Sequence, residues 1–307
     1  MDILQAIGDT SLVTLRTVVP AGCARVHVKL EWENPTGSMK DRMAVAAIAG
    51  AERDGRLKPG DTVVEYTGGS TGTSLALVCA AKGYPMHIVT SAAFSQEKRD
   101  HMAALGARLT LVPSEGGRLT RQLFVDMIEA ARVISREPHT YWTDQFHNPY
   151  AAAGYHPLGE EIWRQRDGKV DAFVHCVGTA HSGRGVATVL KRHASGIEFV
   201  AVEPAESAVL SGGPPGAHKI EGTGAGFVPP LFDRSLVDDI IPVSTKDAEA
   251  MARRLTREEA LFAGTSSGAN VVAAIRVAER LGPDADVVTL LADSGLKYLS
   301  TDVYRTT

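Results

Sequence analysis

The run Ala172-Phe173-Val174-His175-Cys176-Val177-Gly178-Thr179-Ala180-His181-Ser182-Gly183 carries the signal that decides the fold. Residues 172–177 are almost continuously apolar, which is typical of a strand that is covered on both faces of a parallel sheet. Glycine and hydroxyl residues follow and predict a loop, and a helix is expected at roughly 183–193. A strand, a loop and a helix in this order predict the repeating unit of an α/β protein.

The same order recurs along the chain. Strands are predicted at 61–66, 86–90, 108–112, 172–177, 199–203 and 287–291, and helices at 75–82, 95–105, 119–135, 183–193, 246–260 and 267–281. Ser95 is expected to cap one of these helices, and Gly83 and Gly106 to end two of them. The alternation predicts mainly parallel sheets with helices on both faces. Two such series, before and after about residue 145, predict two doubly wound lobes, and 307 residues suffice for two cores.

Composition excludes several classes of function. The chain has 32 basic and 36 acidic residues and no basic stripe, so nucleic acid and anionic membranes are not expected partners. Cys23, Cys79 and Cys176 are too scattered for a disulfide framework or a zinc site, and no metal is expected. The first residues lack the features of a signal peptide, and no apolar run approaches the length of a membrane span. A reducing cytoplasm is therefore the expected location.

Two further segments place polar groups at the starts of helices. Lys40 follows the turn Asn34-Pro35-Thr36-Gly37-Ser38 and precedes an apolar helix, a position that suits a Schiff-base nucleophile, although most lysines are only solvated surface charges. The loop Thr67-Gly68-Gly69-Ser70-Thr71-Gly72 lies between a strand and a helix. Its amides and the helix dipole could hold a carboxylate or phosphate, and a plain turn capped by Ser70 fits equally well.

The loop 178–182 has the same setting as the loop 67–72. Ala180 replaces the second glycine of a dinucleotide-binding loop, and no Walker-type Gly-Lys-Ser/Thr follows. Amides with the hydroxyls of Thr179 and Ser182 fit a phosphate better, and His181 could donate to it or be an ordinary turn residue. The sequence around Ser266, taken by itself, is typical of a serine N-cap region. Together, Lys40 and the two loops indicate covalent binding of pyridoxal phosphate and chemistry on a serine-like amino acid.

Matches spread over nearly the whole chain resemble the cysteine synthase (O-acetylserine sulfhydrylase) and cystathionine β-synthase family of fold-type II pyridoxal-phosphate enzymes. They lie at 7–13, 33–42, 58–62, 144–149, 159–163, 202–204, 210–213, 218–222, 224–227, 293–295 and 298–301. The resemblance implies a fold like that of tryptophan synthase β. It also implies a large cofactor-binding lobe, 1–40 plus 145–307, and a smaller mobile lobe, 41–144, that carries the substrate-carboxylate loop.

The resemblance also implies roles for single residues. Lys40 would bind the cofactor as an imine and then act as acid and base at the substrate Cα. The cofactor-binding residues would be Lys40, Ser70, Gly178, Thr179, Ala180, His181, Ser182 and Ser266, and the substrate-binding residues Thr67, Gly68, Ser70, Thr71 and Gln145. A hydroxyl from Ser266 at the pyridine nitrogen, in place of an aspartate, would leave the ring largely unprotonated and favour loss of a β-leaving group.

The activity that the resemblance implies is β-replacement on an O-activated L-serine through an aminoacrylate, with O-acetylserine and sulfide giving L-cysteine in a ping-pong reaction. The expected partners are this small amino acid, a small nucleophile, a second copy of the chain in a homodimer and the tail of a serine acetyltransferase. Thr71 argues against a serine/threonine dehydratase, whose loop usually reads Ser-Gly-Asn-His. No haem segment of the cystathionine β-synthase type is evident.

Two departures from the family pattern keep alternatives open. The family loop usually reads Thr-Ser-Gly-Asn-Thr-Gly, so Gly68 and Ser70 replace a serine and an asparagine, and Gly68 is expected to make room for a larger substrate. The phosphate loop usually reads Gly-Thr-Gly-Gly-Thr, and Ala180 and His181 replace two glycines that could adopt positive φ. A different nucleophile or activated serine in a specialised pathway, or a weakly catalytic protein-binding member, therefore remains possible.

Overall fold

The computed structural model describes residues 2–114, 116 and 120–305. The strands in these residues are β1 (Leu12–Thr14), β2 (Arg25–Leu30), β3 (Thr62–Tyr66), β4 (Met86–Thr90), β5 (Arg108–Leu111), β6 (Thr140–Trp142), β7 (Ala172–Cys176), β8 (Glu198–Pro204), β9 (Asp239–Val243) and β10 (Asp286–Leu291). The α-helices are α1 (Lys40–Arg53), α2 (Ser70–Lys82), α3 (Gln96–Ala104), α4 (Arg121–Ile134), α5 (His156–Gln165), α6 (His181–His193), α7 (Thr245–Glu258) and α8 (Thr265–Leu281). Short 3-10 helices lie between some of them.

The chain divides into two compact units. The first consists of Met1–Ile7 and Lys40–Gly154, and the second of Gly8–Met39 and Tyr155–Thr307. The expected division differs at three places, because residues 1–7, Lys40 and residues 145–154 lie in the first unit. Leu4 packs against the core of that unit, and a Cβ on Gly50 would lie 2.2 Å from the Tyr150 ring. The functional roles expected of the two lobes remain predictions.

The first unit contains a parallel sheet of four strands in the order β5-β4-β3-β6. Successive residues of β3 face opposite sides of the sheet, as a strand requires. Val63 packs with residues of α1, α2 and α3, whereas Val64 packs with α4. Helices therefore cover both faces, which explains why β4 is buried along its whole length.

The second unit contains six strands in the order β1-β2-β10-β7-β8-β9. Among the strand pairs in the described part of this unit, β1 with β2 is antiparallel and the others are parallel. One face of the sheet packs against α7 and α8. On the other face Phe173 and Phe199 stack at 5.5 Å, and α6 approaches so closely that a Cβ on Gly183 would lie 2.7 Å from Phe199. The fold class expected from the sequence, two mainly parallel α/β sheets, is confirmed.

Several helix starts differ from the expected ones. Gly69 and Gly264 are the N-caps of α2 and α8, so neither Ser70 nor Ser266 caps a helix. Ser95 is the N-cap of α3, yet its hydroxyl makes no capping bond. The start expected at residue 119 lies outside the described residues, and α4 begins at Arg121 behind its cap Thr120. A serine in the loop before a helix therefore does not by itself fix the residue at which the helix begins. In the described part of the chain no helix has the length and apolar character needed to cross a bilayer.

Candidate active site

Lys40 is the first residue of α1 and is half-buried. The turn before it is anchored at the carboxyl end of β10. Gly37 adopts φ +71° and accepts a bond from the amide of Ser294 at 3.0 Å, and the amide of Met39 donates to the carbonyl of Ala292 at 2.9 Å. A side chain at Gly37 would be strained by this positive φ. The turn fixes the chain directly before the lysine.

The loop 67–72 links β3 to α2 at the carboxyl end of the first sheet. The Thr67 amide donates to Val89 at 2.9 Å, and the Thr67 hydroxyl accepts from the Gly69 amide at 3.1 Å. Thr67 and Thr71 are both buried. Because α2 begins at Ser70, the loop leads directly into the N-terminus of a helix, where the helix dipole favours negative charge. The geometry suits a small anion such as a carboxylate.

Gln145 lies beside this loop although it is distant in sequence. Its side-chain amide donates to the carbonyl of Tyr66, the residue before the loop, at 2.9 Å. The structure thus brings together Gln145 and the loop 67–72, which the resemblance assigned to one substrate site.

Glu65 holds the backbone of the segment that carries Gln145. Its carboxylate is fully buried in β3 and accepts bonds from the Thr143 hydroxyl at 2.6 Å, the Gln145 amide at 2.9 Å and the Tyr66 amide at 2.9 Å. Burial raises the pKa of Glu65 to about 7, although these bonds favour the charged form. Sequence analysis missed this residue. A carboxylate inside an otherwise apolar strand was the available signal.

The space beside Gly68 is filled. A Cβ on Gly68 would lie 1.9 Å from the ring of Phe94, which packs in turn against Phe124 with ring centroids 6.2 Å apart. The expectation that Gly68 makes room for a larger substrate is therefore wrong at this point. The sequence could not reveal it, because Phe94 follows β4 and reaches the loop only through the fold.

The loop 178–182 connects β7 to α6 in the second unit. Ala180 adopts φ +69° and ψ −6°. The alanine thus takes the left-handed backbone conformation itself, at a position where the family usually has a glycine. An alanine there costs about 1–2 kcal/mol relative to the right-handed form. A left-handed residue before a helix turns successive amides toward one point, which is the arrangement of an anion-binding nest.

Close packing surrounds this loop. A Cβ on Gly178 would lie 2.2 Å from the carbonyl oxygen of Gly222, so only glycine fits there. Within the loop, Thr179 Oγ1 and His181 Nδ1 are 3.0 Å apart, and Ser182 Oγ is 2.8 Å from Nε2 of His175. The hydroxyl of Thr223, in the segment beside Gly178, is buried and has no hydrogen-bond partner among the described residues. A buried orphan hydroxyl is expected to serve a ligand or a water.

Ser266 lies in the first turn of α8 and is buried. Ser267, its neighbour, accepts a bond from the Ala292 amide at 2.9 Å, and the Ser266 carbonyl lies 3.6 Å from the thiol of Cys176. Burial raises the pKa of that thiol well above its usual range, so Cys176 is a packing residue and not a nucleophile. Ser266 and the loop 178–182 are thus held in the same unit, at neighbouring carboxyl ends of strands.

Comparisons with known proteins agree with this geometry. The profile of the family described as "Pyridoxal-phosphate dependent enzyme" matches residues 3–293. A cysteine synthase of Staphylococcus aureus is 46% identical over 306 residues, which cover 99% of this chain and 96% of that protein. Among solved structures, the cysteine synthase of Entamoeba histolytica superposes with a TM-score of 0.92 at 38% identity, covering 100% of this chain and 91% of that one.

A structure of an O-ureido-L-serine synthase is almost as similar. Its TM-score is 0.90 at 36% identity, and the match covers 98% of this chain and 94% of that one. The likeness extends over the full chain in all these cases, and the family match includes Lys40 and both loops. The chain belongs to the cysteine synthase branch of the pyridoxal-phosphate dependent enzyme family.

Proposed function

We propose that this protein replaces the acetate of O-acetyl-L-serine with sulfide and so makes L-cysteine. The observation that carries the proposal is the full-length identity of 46% with a cysteine synthase. The lysine at the start of α1 and the two loops at the carboxyl ends of the sheets support it, because they supply the nucleophile and the anion sites that this chemistry needs.

The residues present fit a phosphate-bearing cofactor. The left-handed Ala180, the N-terminus of α6 and the orphan hydroxyl of Thr223 together form a donor set without a carboxylate in the loop. The residues that would hold the cofactor are Lys40, Ser70, Gly178, Thr179, Ala180, His181, Ser182 and Ser266. When bound, pyridoxal phosphate supplies an aldehyde for the lysine amine and an electron sink for the substrate Cα.

Residues of the chain would bind the substrate carboxylate, move a proton at Cα and form a hydrogen bond with the pyridine nitrogen. The loop 67–72 binds the α-carboxylate through its amides and the hydroxyls of Thr67 and Thr71, helped by Gln145, and so orients the Cα–H bond. The amine of Lys40 removes the Cα proton as acetate leaves Cβ. Hydrosulfide then forms the Cβ–S bond, and Lys40 returns a proton to Cα. The Ser266 hydroxyl would donate one hydrogen bond to the unprotonated pyridine nitrogen without adding charge.

A second candidate is the same replacement with another nucleophile or another activated serine. In this chain Gly68 replaces the family's serine, and the ring of Phe94 fills the space beside it. This change in the wall of the substrate loop favours the second candidate. The similarity to an O-ureido-L-serine synthase is consistent with it as well. A weakly catalytic member that binds a protein partner would need no nucleophile at all.

The deciding experiment is a matrix of O-acetyl- and O-phospho-L-serine against sulfide, thiosulfate, thiols and amines, with products identified by mass. We expect O-acetylserine with sulfide to have the highest kcat/KM and Lys40→Ala to lose about 100-fold or more of it. A tenfold preference for another pair would establish the second candidate. Cofactor binding without any product would favour the binding role.

We further propose a homodimer, binding of a serine acetyltransferase tail to the carboxylate loop, and action in a reducing cytoplasm. The three free cysteines are compatible with a reducing compartment. Light scattering behind a sizing column tests the dimer. To test binding of the tail, O-acetylserine is made to compete with a carboxyl-terminal peptide of the acetyltransferase for the carboxylate loop. The control is the same peptide with an amidated end, which lacks the carboxylate.

A further inference from the structure

We infer that His175 is a positioning residue that aims the Ser182 hydroxyl at the cofactor phosphate. This inference rests on the proposed cofactor site in the loop 178–182. His175 lies in β7 with 1% of its surface exposed, and its Nε2 is 2.8 Å from Oγ of Ser182 in the first turn of α6. The imidazole therefore reaches the loop from the strand that precedes it.

The orientation of the Asn270 side chain is fixed by the backbone. Its Oδ1 accepts from the amide of Cys176 at 2.7 Å, and its Nδ2 donates to the carbonyl of Leu290 at 2.7 Å. A backbone N–H can only donate and a carbonyl can only accept, so the amide cannot be flipped.

The orientation of Asn270 determines the tautomer of His175. The second hydrogen of Nδ2 faces Nδ1 of His175 at 3.2 Å, so Nδ1 must accept. A neutral imidazole then carries its proton on Nε2, which donates to Ser182. A doubly protonated ring would place an N–H against the Asn270 donor.

The bond from His175 removes one of the staggered positions open to the hydroxyl proton of Ser182. Since its oxygen accepts from His175, the hydroxyl hydrogen is free to point away from the imidazole, into the loop at the start of α6. A donor restricted in this way loses less rotational freedom when a phosphate arrives, and hydrogen bonds to charged oxygens are the strong ones.

The same network ties the loop to the helix that carries Ser266. Asn270 lies one turn after Ser266 in α8, and it bonds to both β7 and β10. The Ser182 hydroxyl proposed for the phosphate is therefore linked by hydrogen bonds to the helix that carries Ser266, the residue proposed for the pyridine nitrogen. We expect this register to matter because the cofactor spans a fixed distance between its two ends.

The test compares the dissociation constants of pyridoxal phosphate and of pyridoxal, measured by absorbance on stripped protein. Both ligands carry the aldehyde that reacts with Lys40, so the ratio of the two constants isolates the phosphate. We expect His175→Leu and Ser182→Ala each to weaken pyridoxal phosphate roughly 10- to 100-fold and to leave pyridoxal unchanged. The double variant should be no weaker than Ser182→Ala, and His175→Gln should recover most of the loss because its amide can donate to Ser182.

The matched control is His27→Leu, which removes another buried histidine of the same sheet, bonded to Asp286 at 2.8 Å. We expect it to lower stability without changing the ratio. Equal losses for both ligands in His175→Leu, or additive losses in the double variant, would overturn the inference. If the unchanged protein binds neither ligand, the proposed function fails instead, and binding of both with equal affinity would show that the loop is not a phosphate site.

Discussion

At the scale of single residues, Glu65 and Gly68 shape the substrate loop in opposite ways. Glu65 is a buried carboxylate that organises its surroundings through several hydrogen bonds, whereas Gly68 contributes by having no side chain. Each has a partner remote in sequence, the segment 143–145 for Glu65 and Phe94 for Gly68. The loop is thus defined as much by what packs behind it as by its own residues.

The contact between Gly68 and Phe94 predicts the effect of restoring the family's serine. Gly68→Ser places a Cβ 1.9 Å from the ring, and such overpacking should lower the free energy of unfolding by about 1–3 kcal/mol. Phe94→Ala should remove most of that penalty in the double variant. Urea unfolding followed by Trp142 fluorescence measures both.

The matched control is Gly69→Ser, since a Cβ there meets no heavy atom closer than 3.7 Å. It should be close to neutral. Equal stability of the two serine variants would contradict the steric assignment.

Glu65 predicts a pH dependence of stability in the first unit. Its pKa is raised to about 7 in the folded chain from the usual 4.5, so the folded state binds the proton more tightly. The free energy of unfolding therefore falls by up to about 3 kcal/mol as pH rises from about 4.5 to about 7. Above about pH 7 this contribution no longer changes. The measurement is urea unfolding across this range with Trp142 as the reporter, in a background where Trp32 and Trp163 are phenylalanine.

Glu65→Gln should remove this contribution, and the exposed Glu137→Gln should not. The difference between the original protein and each variant isolates the single carboxyl. Parallel curves for the original protein and Glu65→Gln would show that the buried carboxyl does not titrate in this range.

At the scale of elements, most of the proposed site residues lie at the carboxyl ends of strands, in or directly before the first turns of helices. α2 and α6 each begin directly after a glycine- and hydroxyl-rich loop, and α8 begins behind Gly264. In parallel sheets these carboxyl ends lie along one edge, and helix N-termini there favour anions. The element order is therefore consistent with the anion sites proposed in both units.

The start of α6 predicts a gain in stability from a glycine. Ala180→Gly removes the cost of φ +69° and should raise the free energy of unfolding by about 0.5–1 kcal/mol, after the extra entropy of the unfolded glycine is subtracted. Ala194→Gly, at the other end of the helix with φ −148°, is the control and should be neutral or destabilising. Denaturant unfolding gives both values, and a loss of stability in Ala180→Gly would contradict the strain.

At the scale of the whole molecule, the chain divides into two units, and each unit is built from two separate segments of the sequence. Residues 8–39 leave the first unit after Ile7 and contribute β1 and β2 to the second sheet, and Lys40 returns the chain to the first. The proposed nucleophile is therefore the residue at which the backbone changes unit. The proposed phosphate residues and Ser266 belong wholly to the second.

Cofactor removal is predicted to lower the thermal stability of the molecule. Pyridoxal phosphate at 100 times its dissociation constant should stabilise the folded chain by about 2.7 kcal/mol. Calorimetry of stripped and reloaded protein should show a rise in Tm of several degrees, and pyridoxal without the phosphate should give a smaller one. Identical transitions in stripped and reloaded protein would contradict cofactor binding to the folded state.

The alternation of elements follows from the sequence alone, and so do the residues proposed here to carry the chemistry. The apolar run of β7 and the loop after it predict a parallel α/β fold through local pattern alone, because burial on both faces requires such a run. Lys40 and the two loops were proposed as site residues from the local sequence together with the family resemblance. The exact helix starts were not predicted, since Gly69 and Gly264 are the N-caps of α2 and α8 although a serine lies within two residues of each.

The side-chain contacts that support the proposed site follow only from the tertiary structure. Phe94 fills the space beside Gly68, Glu65 holds the segment of Gln145, and Asn270 sets the tautomer of His175, yet each pair is separated by 26 to 95 residues. No local periodicity encodes such contacts, because they depend on how sheets and helices stack. The physical reason is that steric exclusion and hydrogen-bond geometry act over ångströms in space, while sequence patterns report only neighbours along the chain.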